Sequence, residues 1–291
     1  NEKVLDAFSK MLDFDTTANL LTYDFVQQAL LAAAILGLLA GALGPLIVSR
    51  QWAFAVHGSS ELSLTGASAA LLVGITVGLG AIVGSVVAAV MFALLGSKAR
   101  DRDSVIGVIM SFGLGLSVLF IWLYPGRTGT SFSLLIGQIV GVGQSGIELL
   151  LVCAVLVLIV LTVVYRPLLF ASTDPEVALA RGVPVRALSV VFAVLVGVAC
   201  ALGVQIVGAL LVLSLLITPA AAAARVTASP LKATLLSILF AEIAAVGGIL
   251  LSLAPGLPVS TFVTTISFVI YLVCRAIGGT RKANSGRLVA A

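Results

Sequence analysis

The chain has 291 residues, of which 60% are hydrophobic and only 10% are charged, with a formal net charge of +4. Its mean hydropathy of +1.24 excludes a water-soluble globular domain, in which about half of the residues are apolar. No polar block is long enough for a second domain, so we predict one all-α polytopic membrane protein. Cys153, Cys200 and Cys274 are isolated in apolar stretches, which argues against disulfides or a cysteine metal site.

Apolar stretches of about 20 residues, the length that a helix needs to cross a bilayer, recur along the chain. They predict about nine transmembrane helices, at about 25–48, 53–73, 77–96, 104–124, 147–165, 187–202, 204–224, 233–252 and 259–276. The sixth and seventh spans have only the short connection Ala201–Gln205 between them, where Gly203 supplies flexibility. An odd number of spans places the two termini on opposite sides of the membrane.

The basic residues orient this topology. One side holds thirteen of the sixteen lysines and arginines, whereas the other side holds only Lys3, Lys10 and Arg127. Because Lys and Arg concentrate in cytosolic loops, we predict that the N-terminus lies outside the cell and that the C-terminus is cytosolic. The basic residues belong to these loops and therefore give no indication of nucleic-acid binding.

The chain is expected to contain three segments. Residues 1–22 form an outer amphipathic or flexible N-terminal segment, residues 23–278 form the transmembrane domain, and residues 279–291 form a cytosolic tail. In the first segment, Leu5, Phe8, Leu12 and Leu20 alternate with polar residues, which favours an amphipathic helix on the outer face. A disordered tail is the alternative.

His57 and Glu61 are two ionisable residues inside the second predicted span, and His57 is the only histidine in the chain. An ionisable residue at membrane depth is costly unless it finds a partner or a cavity, so it marks a candidate functional site. Four residues apart on a helix, the two side chains lie on the same face, about 6 Å apart along the axis. The alternative is a polar clamp between helices.

Glu242 is a second acidic residue within a predicted span, the eighth. It either lines a transport pathway or hydrogen-bonds a neighbouring backbone group inside the helix bundle, and we favour the second interpretation. No transport role follows from its position alone.

The longest cytosolic connection, between Tyr165 and Arg186, predicts a short helix. Thr173 or Asp174 is suited to the N-cap, Pro175 to the first helical position and Glu176 to the first turn. Gly182 and Pro184 end the helix about two turns later. Such a helix is suited to docking into a groove on a soluble partner; a helical loop without a partner is the alternative.

Motifs of soluble enzymes are absent from the sequence. No G-x-x-x-x-G-K-[ST] segment is present to bind ATP phosphates, and a single histidine allows no H-E-x-x-H zinc motif. We therefore predict that the chain is not an enzyme, and that any ATP hydrolysis is performed by a separate subunit.

Five segments carry recognisable patterns. They are Tyr23–Leu30 (Y-D-F-V-Q-Q-A-L), Asp103–Gly107 (D-S-V-I-G), Gly137–Val142 (G-Q-I-V-G-V), Asp174–Gly182 (D-P-E followed by G) and Val207–Ala223 (V-G-A-L-L-V-L-S-L-L-I-T-P-A-A-A-A). Together they resemble the permease subunit of the bacterial ABC importers for zinc, manganese and iron, and they match this family in order and at the expected spacing between about residues 23 and 276. Apolar sequences match by chance at one segment, whereas five collinear matches are specific.

This resemblance implies roles for particular residues. The family carries D-A-[IL]-S-H-A in its second span, where Asp and His bind the metal, and the aligned positions here are His57 and Glu61. The acid and the imidazole are both retained but exchanged in order. The resemblance also implies that Asp174, Pro175, Glu176 and Gly182 belong to the segment that contacts the ATPase. Family permeases are dimers, so two copies would supply two imidazoles and two carboxylates at a two-fold axis.

The resemblance predicts the partners and the cargo. The partners are a second copy of the chain, a cytosolic ATP-binding subunit, an extracytoplasmic metal-binding protein and membrane lipid. No permanently bound cofactor is expected, and the transported ion is zinc or manganese. Because a set of two nitrogens and two oxygens suits a tetrahedral ion, we rank zinc above manganese, with iron third.

Three rival functions are open at this level. An ion-coupled secondary transporter would use Glu61 and Glu242 as proton carriers, but its inverted repeats are not evident in the sequence. An ABC importer of a larger metal chelate would need a wider pathway with fewer ligands. A structural or assembly protein of the membrane would use the His57–Glu61 pair only as a clamp.

Overall fold

The computed structural model describes residues 14–95, 99–125, 144–208, 212–255 and 258–289. The described residues form twelve α-helices, numbered here in chain order. They are α1 (Phe14–Leu20), α2 (Asp24–Ser49), α3 (Ala53–Val73), α4 (Val77–Leu95), α5 (Ala99–Leu123), α6 (Gln144–Thr173), α7 (Pro175–Ala180), α8 (Val185–Val207), α9 (Val212–Leu216), α10 (Thr218–Val226), α11 (Pro230–Leu253) and α12 (Val259–Val289). The predicted all-α class is confirmed for this part of the chain.

The chain divides into two compact units. The terminal unit combines Asn1–Val48 with Ser214–Ala291, and the central unit is Ser49–Leu213. In the central unit, α3 packs against α4, α5 and α8, while α8 also packs against α6. In the terminal unit, α10, α11 and α12 pack against one another.

Seven helices in the described ranges are long and apolar enough to cross a membrane. They are 24–49, 77–95, 102–123, 146–173, 185–205, 230–253 and 259–278, and each overlaps one of the predicted spans. The structure thus supports a polytopic membrane protein. The number of nine spans and the sides on which the termini lie stay predictions.

Helix α3 has the bounds predicted for the second span, Ala53–Val73, but it is not among these seven apolar helices. His57 and Glu61 lower its hydropathy, as do Ser59, Ser60 and Ser63, which are fully buried. Burial of polar groups away from lipid lets such a helix cross a membrane inside a bundle.

The prediction for residues 201–224 was wrong in its details. Helix α8 continues through Ala201–Gln205 and ends at Val207, where Gly208 adopts a φ of 91°. A single Gly203 costs a helix interior only about 1 kcal/mol, which the surrounding apolar residues outweigh. The span predicted at 204–224 is broken into α9 and α10, because Pro219 lies in the first turn of α10 and proline favours a helix start over an interior.

The predicted end segments are only partly described. Helix α1 lies within the segment 1–22, whereas residues 1–13 are outside the described ranges. Helix α12 continues beyond the predicted span end at 276 as far as Val289, so the described part of the predicted tail is helical. Segment Gly137–Val142 of the family resemblance also lies outside the described residues.

Glycines bring α3 and α4 into direct backbone contact. A Cβ added at Gly66 would lie 2.8 Å from the Cα of Gly84 and would also collide with the carbonyl oxygen of Gly80. On the next helix pair, a Cβ at Gly197 of α8 would lie 2.7 Å from the Cα of Val86. Small residues that allow such approach are the usual basis of helix packing in membranes.

We expect Gly66→Ala to destabilise the protein by about 1–3 kcal/mol, because the added methyl has no space against α4. Gly115 on α5 is the matched control, since nothing lies within 4 Å of a Cβ added there. Gly115→Ala should be neutral or stabilising by up to about 1 kcal/mol. Thermal unfolding of both variants in detergent micelles checks this, and equal unfolding temperatures would contradict the contact.

Candidate metal site and partner-docking helix

The two predicted metal-binding residues lie on α3, one helical turn apart. His57 and Glu61 are both half-buried, and the ring of Phe54 lies 6.3 Å from the imidazole ring of His57. The Nδ1 atom of His57 is buried and has no hydrogen-bond partner among the described residues. A buried, unpartnered ring nitrogen on an intramembrane histidine is available to bind a ligand.

The packing of α3 leaves this face less covered than the others. Gly58 is buried, and a Cβ added there would lie 2.8 Å from Ile106 of α5 and 3.0 Å from Phe92 of α4. Ser59 and Ser63 are fully buried, and their hydroxyls make no hydrogen bond to the described residues. The buried serines therefore lie elsewhere around the helix, while His57 and Glu61 are both half-buried.

Thr65 continues this polar side one turn beyond Glu61. Its Oγ1 donates to the carbonyl oxygen of Gly113 at 2.9 Å and lies 2.8 Å from the Oγ of Ser117, both on α5. Sequence reasoning missed Thr65, although its i+4 spacing from Glu61 was a usable signal. The hydroxyls join α3 to α5 beside the candidate site.

The pair alone is an incomplete metal site. Within the described residues of one chain, no group of three or more His, Cys, Asp or Glu residues is placed to hold a metal ion. One imidazole and one carboxylate supply two protein ligands, whereas a tetrahedral site takes four. A tetrahedral ion held here would need two further ligands beyond this pair.

The turn before α3 contains a half-buried arginine, Arg50, which the sequence analysis counted only as a loop charge. Arg50 donates from Nε to the Oγ of Ser172 at 2.7 Å and from Nη1 to the Oγ of Ser189 at 3.5 Å. Its guanidinium also lies 4.9 Å from the centre of the Phe192 ring. Burial lowers the pKa of Arg50 to about 10, because removal from water disfavours the charged form.

A second arginine stabilises the same turn. Arg102 of α5 donates from Nη2 to the carbonyl oxygen of Gln51 at 2.8 Å, and its guanidinium lies 6.0 Å from the Trp52 ring. Gln51 has a φ of 55°, which is uncommon for a residue other than glycine. The Trp52 ring in turn packs edge-on against Phe192 at 5.2 Å. The entry to α3 is therefore held by α5 and α8 together.

The short helix α7 forms as the sequence predicted. Asp174 is the N-cap, and its Oδ1 accepts a hydrogen bond from the backbone N–H of Val177 at 3.0 Å. Pro175 begins the helix, Glu176 is in the first turn, and Gly182 has a φ of 78°. Thr173, the alternative cap, instead donates to the carbonyl oxygen of Leu169. The local structure is confirmed, whereas the docking role stays a prediction.

One side of α7 is anchored and the other is exposed. Ala178 is fully buried, while Val177 and Leu179 are 43% and 58% exposed. Glu176 is also exposed. The helix thus presents two apolar side chains and a carboxylate outward, a mixture that suits contact with a protein surface.

Glu242 lies half-buried on α11 in the terminal unit. A Cβ added at Gly37 of α2 would lie 3.1 Å from its Cδ and Oε1 atoms, so the carboxyl group rests against the α2 backbone. This contact agrees with the structural interpretation of Glu242 as a residue that bonds within the bundle. Its predicted place on a transport pathway stays a prediction.

Comparisons with known proteins agree with this architecture. Residues 22–278 match the model of the ABC 3 transport family. The chain is 30% identical over 234 residues to the manganese transport system membrane protein MntC of Halalkalibacterium halodurans, covering 80% of each chain. It is 29% identical over 267 residues to the manganese import system permease protein ScaB of Streptococcus parasanguinis, covering 91% of this chain and 95% of the relative.

Solved structures give the same fold. The chain superposes on PsaBC from Streptococcus pneumoniae in complex with Fab with a TM-score of 0.81 and 25% identity, covering 90% of this chain and 95% of that chain. A metal-chelate type ABC transporter in an inward-facing conformation gives a TM-score of 0.69 at 16% identity, over 94% of this chain and 97% of that chain; this second likeness shows the fold alone.

The resemblance drawn from the five sequence segments is therefore confirmed. With a family match over nearly the whole described chain and seven helices able to cross a membrane, the chain belongs to the ABC 3 transport family. It is a multi-pass cell-membrane permease, a transport subunit and not an ATP-hydrolysing enzyme.

Proposed function

We propose that the chain is the permease of an ATP-driven importer of a divalent transition metal. The observation that carries this proposal is the pair His57 and Glu61, which places an imidazole and a carboxylate on one half-buried face of a membrane-embedded helix. The relatives named for manganese transport support a metal as the cargo. A cytosolic ATP-binding subunit and an extracytoplasmic metal-binding protein complete the importer.

The site is completed by a second copy of the chain. One protomer offers two ligands, and a two-fold axis beside α3 would double them to two nitrogens and two oxygens. The unpartnered Nδ1 atom of His57 supports this arrangement, because a metal-binding histidine needs a free ring nitrogen. Without the ion, two carboxylates at one axis would repel each other, which favours metal entry.

Manganese is the first candidate cargo, and zinc is the second. Donor chemistry by itself ranks zinc first, since a four-ligand set suits a tetrahedral ion. The family motif, however, also supplies one carboxylate and one imidazole per chain, and relatives from two organisms are named for manganese. The names of the relatives therefore outweigh the preference of the donor set for zinc, and manganese would complete its coordination with water. A larger metal chelate is the remaining alternative.

Helix α7 is proposed to dock onto the ATP-binding subunit. Its cap and its buried Ala178 hold it rigidly, while Glu176, Val177 and Leu179 point outward. A short rigid helix passes a conformational change of a bound partner to the permease better than a mobile loop would.

Arg50 is proposed to couple the docking helix to the metal site. Ser172 lies at the end of α6, directly before α7, and Ser189 lies in the first part of α8, directly after it. The guanidinium donates hydrogen bonds to both serines. The backbone of Arg50 lies in the turn that leads into α3 and His57. A movement of α7 would therefore be passed to the entry of α3 through one side chain.

We expect His57→Ala and Glu61→Ala each to reduce metal uptake by at least about tenfold, since loss of even an outer-shell partner costs about that much. Glu148→Ala is the matched control and should leave uptake unchanged, because it removes an exposed carboxylate of α6. Uptake of radioactive metal into proteoliposomes with the ATPase is the measurement. Uptake within about twofold of wild type for both site variants would place the metal site elsewhere.

To identify the cargo, we compare the concentrations of manganese and zinc at which uptake is half-maximal. We expect this concentration to be lower for manganese. The measurement is a competition between the two ions, with and without a chelator, in the same proteoliposomes. Preference for zinc would reverse the ranking and leave the permease assignment intact, whereas uptake only in the presence of the chelator would identify a metal-chelate importer.

Glu176→Lys should weaken association with the ATP-binding subunit by about tenfold, because a reversed charge at an interface changes complementarity. Glu148→Lys is the control; it is exposed near the opposite end of α6 and makes the same charge change. Co-purification and metal-stimulated ATP turnover are measured. Equal complex stability for the two variants would exclude α7 as the docking helix.

Arg50→Lys should lower metal-stimulated ATP turnover while basal turnover and metal binding are preserved. Lysine keeps the charge but loses the planar fork that reaches two serines and stacks on Phe192. Arg186→Lys, an exposed position at the start of α8, is the control. Stimulation that matches wild type, in a variant of normal thermal stability, would show that Arg50 has no part in coupling.

A further inference from the structure

The terminal unit contains a cavity of about 680 Å³ between α11 and α12. One wall is the face of α11 that carries Lys232, Leu236 and Phe240, and the other is formed by five residues of α12 between Val269 and Ile277. No part of the proposed metal site or docking helix contributes to it. The cavity is apolar along its length and has a cationic residue at one end.

The cavity lies between two points of close contact. Helices α11 and α12 pack closely near their connection, where a Cβ added at Gly248 would lie 3.0 Å from the backbone nitrogen of Val263. At the other end α10 packs against both helices, and the backbone of Arg225 approaches Gly278. Thr227, which follows α10, lines the cavity beside Lys232.

The depth of the cavity fits one leaflet of a bilayer. Lys232 and Phe240 are eight residues apart on α11, which corresponds to about 12 Å along the axis. Half of a hydrocarbon core is about 15 Å thick, whereas a partner's transmembrane helix would need a groove about twice as long. Leu231 and Leu235, beside the cavity on α11, are 64% and 60% exposed, as side chains that face lipid are.

The end of the cavity near Lys232 is positively charged. Arg275 is exposed on α12 next to Cys274, a residue of the lining, and Arg225 is exposed with its Nη2 donating to the hydroxyl of Tyr271 at 3.3 Å. Among the described residues, the nearest carboxylate along α11 is Glu242, ten residues from Lys232 or about 15 Å along the axis. Lys232 therefore has no acidic residue close to it on its own helix.

The start of α11 adds to this positive end. Ser229 is the N-cap but makes no side-chain hydrogen bond to the first turn, so backbone N–H groups there are available to an anion. The N-terminus of a helix carries a partial positive charge that stabilises bound phosphate. A phosphate at this level would lie beside Lys232 and above the apolar cavity.

We infer that the cavity binds an anionic phospholipid, with one acyl chain between α11 and α12 and the phosphate group at Lys232. The apolar walls match the acyl chain, the length matches one leaflet, and the charge matches an anionic head group rather than a zwitterionic one. Basic pockets between transmembrane helices commonly recognise acidic head groups. Occupancy would fill the space between the helices and hold them at a fixed separation.

The test measures lipid retention by the full-length chain purified in detergent micelles. Native mass spectrometry follows the binding of phosphatidylglycerol and of phosphatidylcholine with the same acyl chains. Wild type should retain phosphatidylglycerol preferentially, and Lys232→Ala should weaken this binding by about fivefold, the usual contribution of one basic residue near an acidic lipid surface. Arg181→Ala, an exposed arginine of the central unit, should bind as wild type does.

A second variant tests the apolar part independently of charge. Val273→Trp fills the cavity and should abolish retention while the protein stays monodisperse on size exclusion. A third measurement uses Phe240→Trp as a reporter, whose fluorescence should be quenched by brominated phosphatidylglycerol more strongly than by brominated phosphatidylcholine.

Three results would overturn the inference. Equal retention of the two lipids would exclude recognition of an acidic head group. Unchanged phosphatidylglycerol retention in both Lys232→Ala and Val273→Trp would place the lipid elsewhere. Dissociation of a dimer by Val273→Trp without any change in lipid retention would assign the cavity to a second copy of the chain.

Discussion

A polar helix cannot lie against lipid, and this constraint organises the central unit. Helix α3 carries a histidine, a glutamate and several serines, and their polar groups would be costly in contact with hydrocarbon. Helices α4, α5 and α8 surround it, and glycine contacts such as Gly66 with Gly84 bring the first of them to backbone distance. The half-buried side that carries His57 and Glu61 is what this enclosure leaves available for a cargo.

The same unit partly buries a charge, that of Arg50, against hydroxyl groups and an aromatic ring. Arg50 is bound by the hydroxyls of Ser172 and Ser189 and by the ring of Phe192. Guanidinium groups tolerate such surroundings because they are planar, weakly hydrated and able to stack on aromatic rings. The side chain of Arg50 thus contacts both helices that flank α7, and its backbone lies in the turn before α3. The candidate site and the candidate docking helix are therefore connected through one residue.

In the terminal unit, close helix packing depends on glycines of α2. Glycines of α2 allow α11 to approach so closely that a Cβ at Gly41 would collide with the backbone of Ile238, and Glu242 meets the α2 backbone at Gly37. Another side of α11, which carries Lys232, Leu236 and Phe240, lines the cavity together with α12. Glycines therefore account for the close contact with α2, whereas larger side chains line the cavity.

Much of this protein was determined by its sequence. The apolar stretches predicted the seven helices that can span a membrane, and the cap residues around Asp174 and Gly182 predicted α7, because helix length, capping and left-handed glycines depend on neighbours in the chain. The i,i+4 spacing placed His57 and Glu61 on one face for the same reason. Five short segments were sufficient to identify the family.

Only the tertiary structure decided the rest. The continuation of α8 through Gly203 depends on which helices pack around it, because the local propensity of one glycine is too weak to decide that. The junction at Arg50 joins residues more than a hundred positions apart in the chain, and the cavity beside Lys232 depends on the angle between two helices. Such features arise from contacts between different helices. The geometry of these contacts cannot be read from a local sequence pattern.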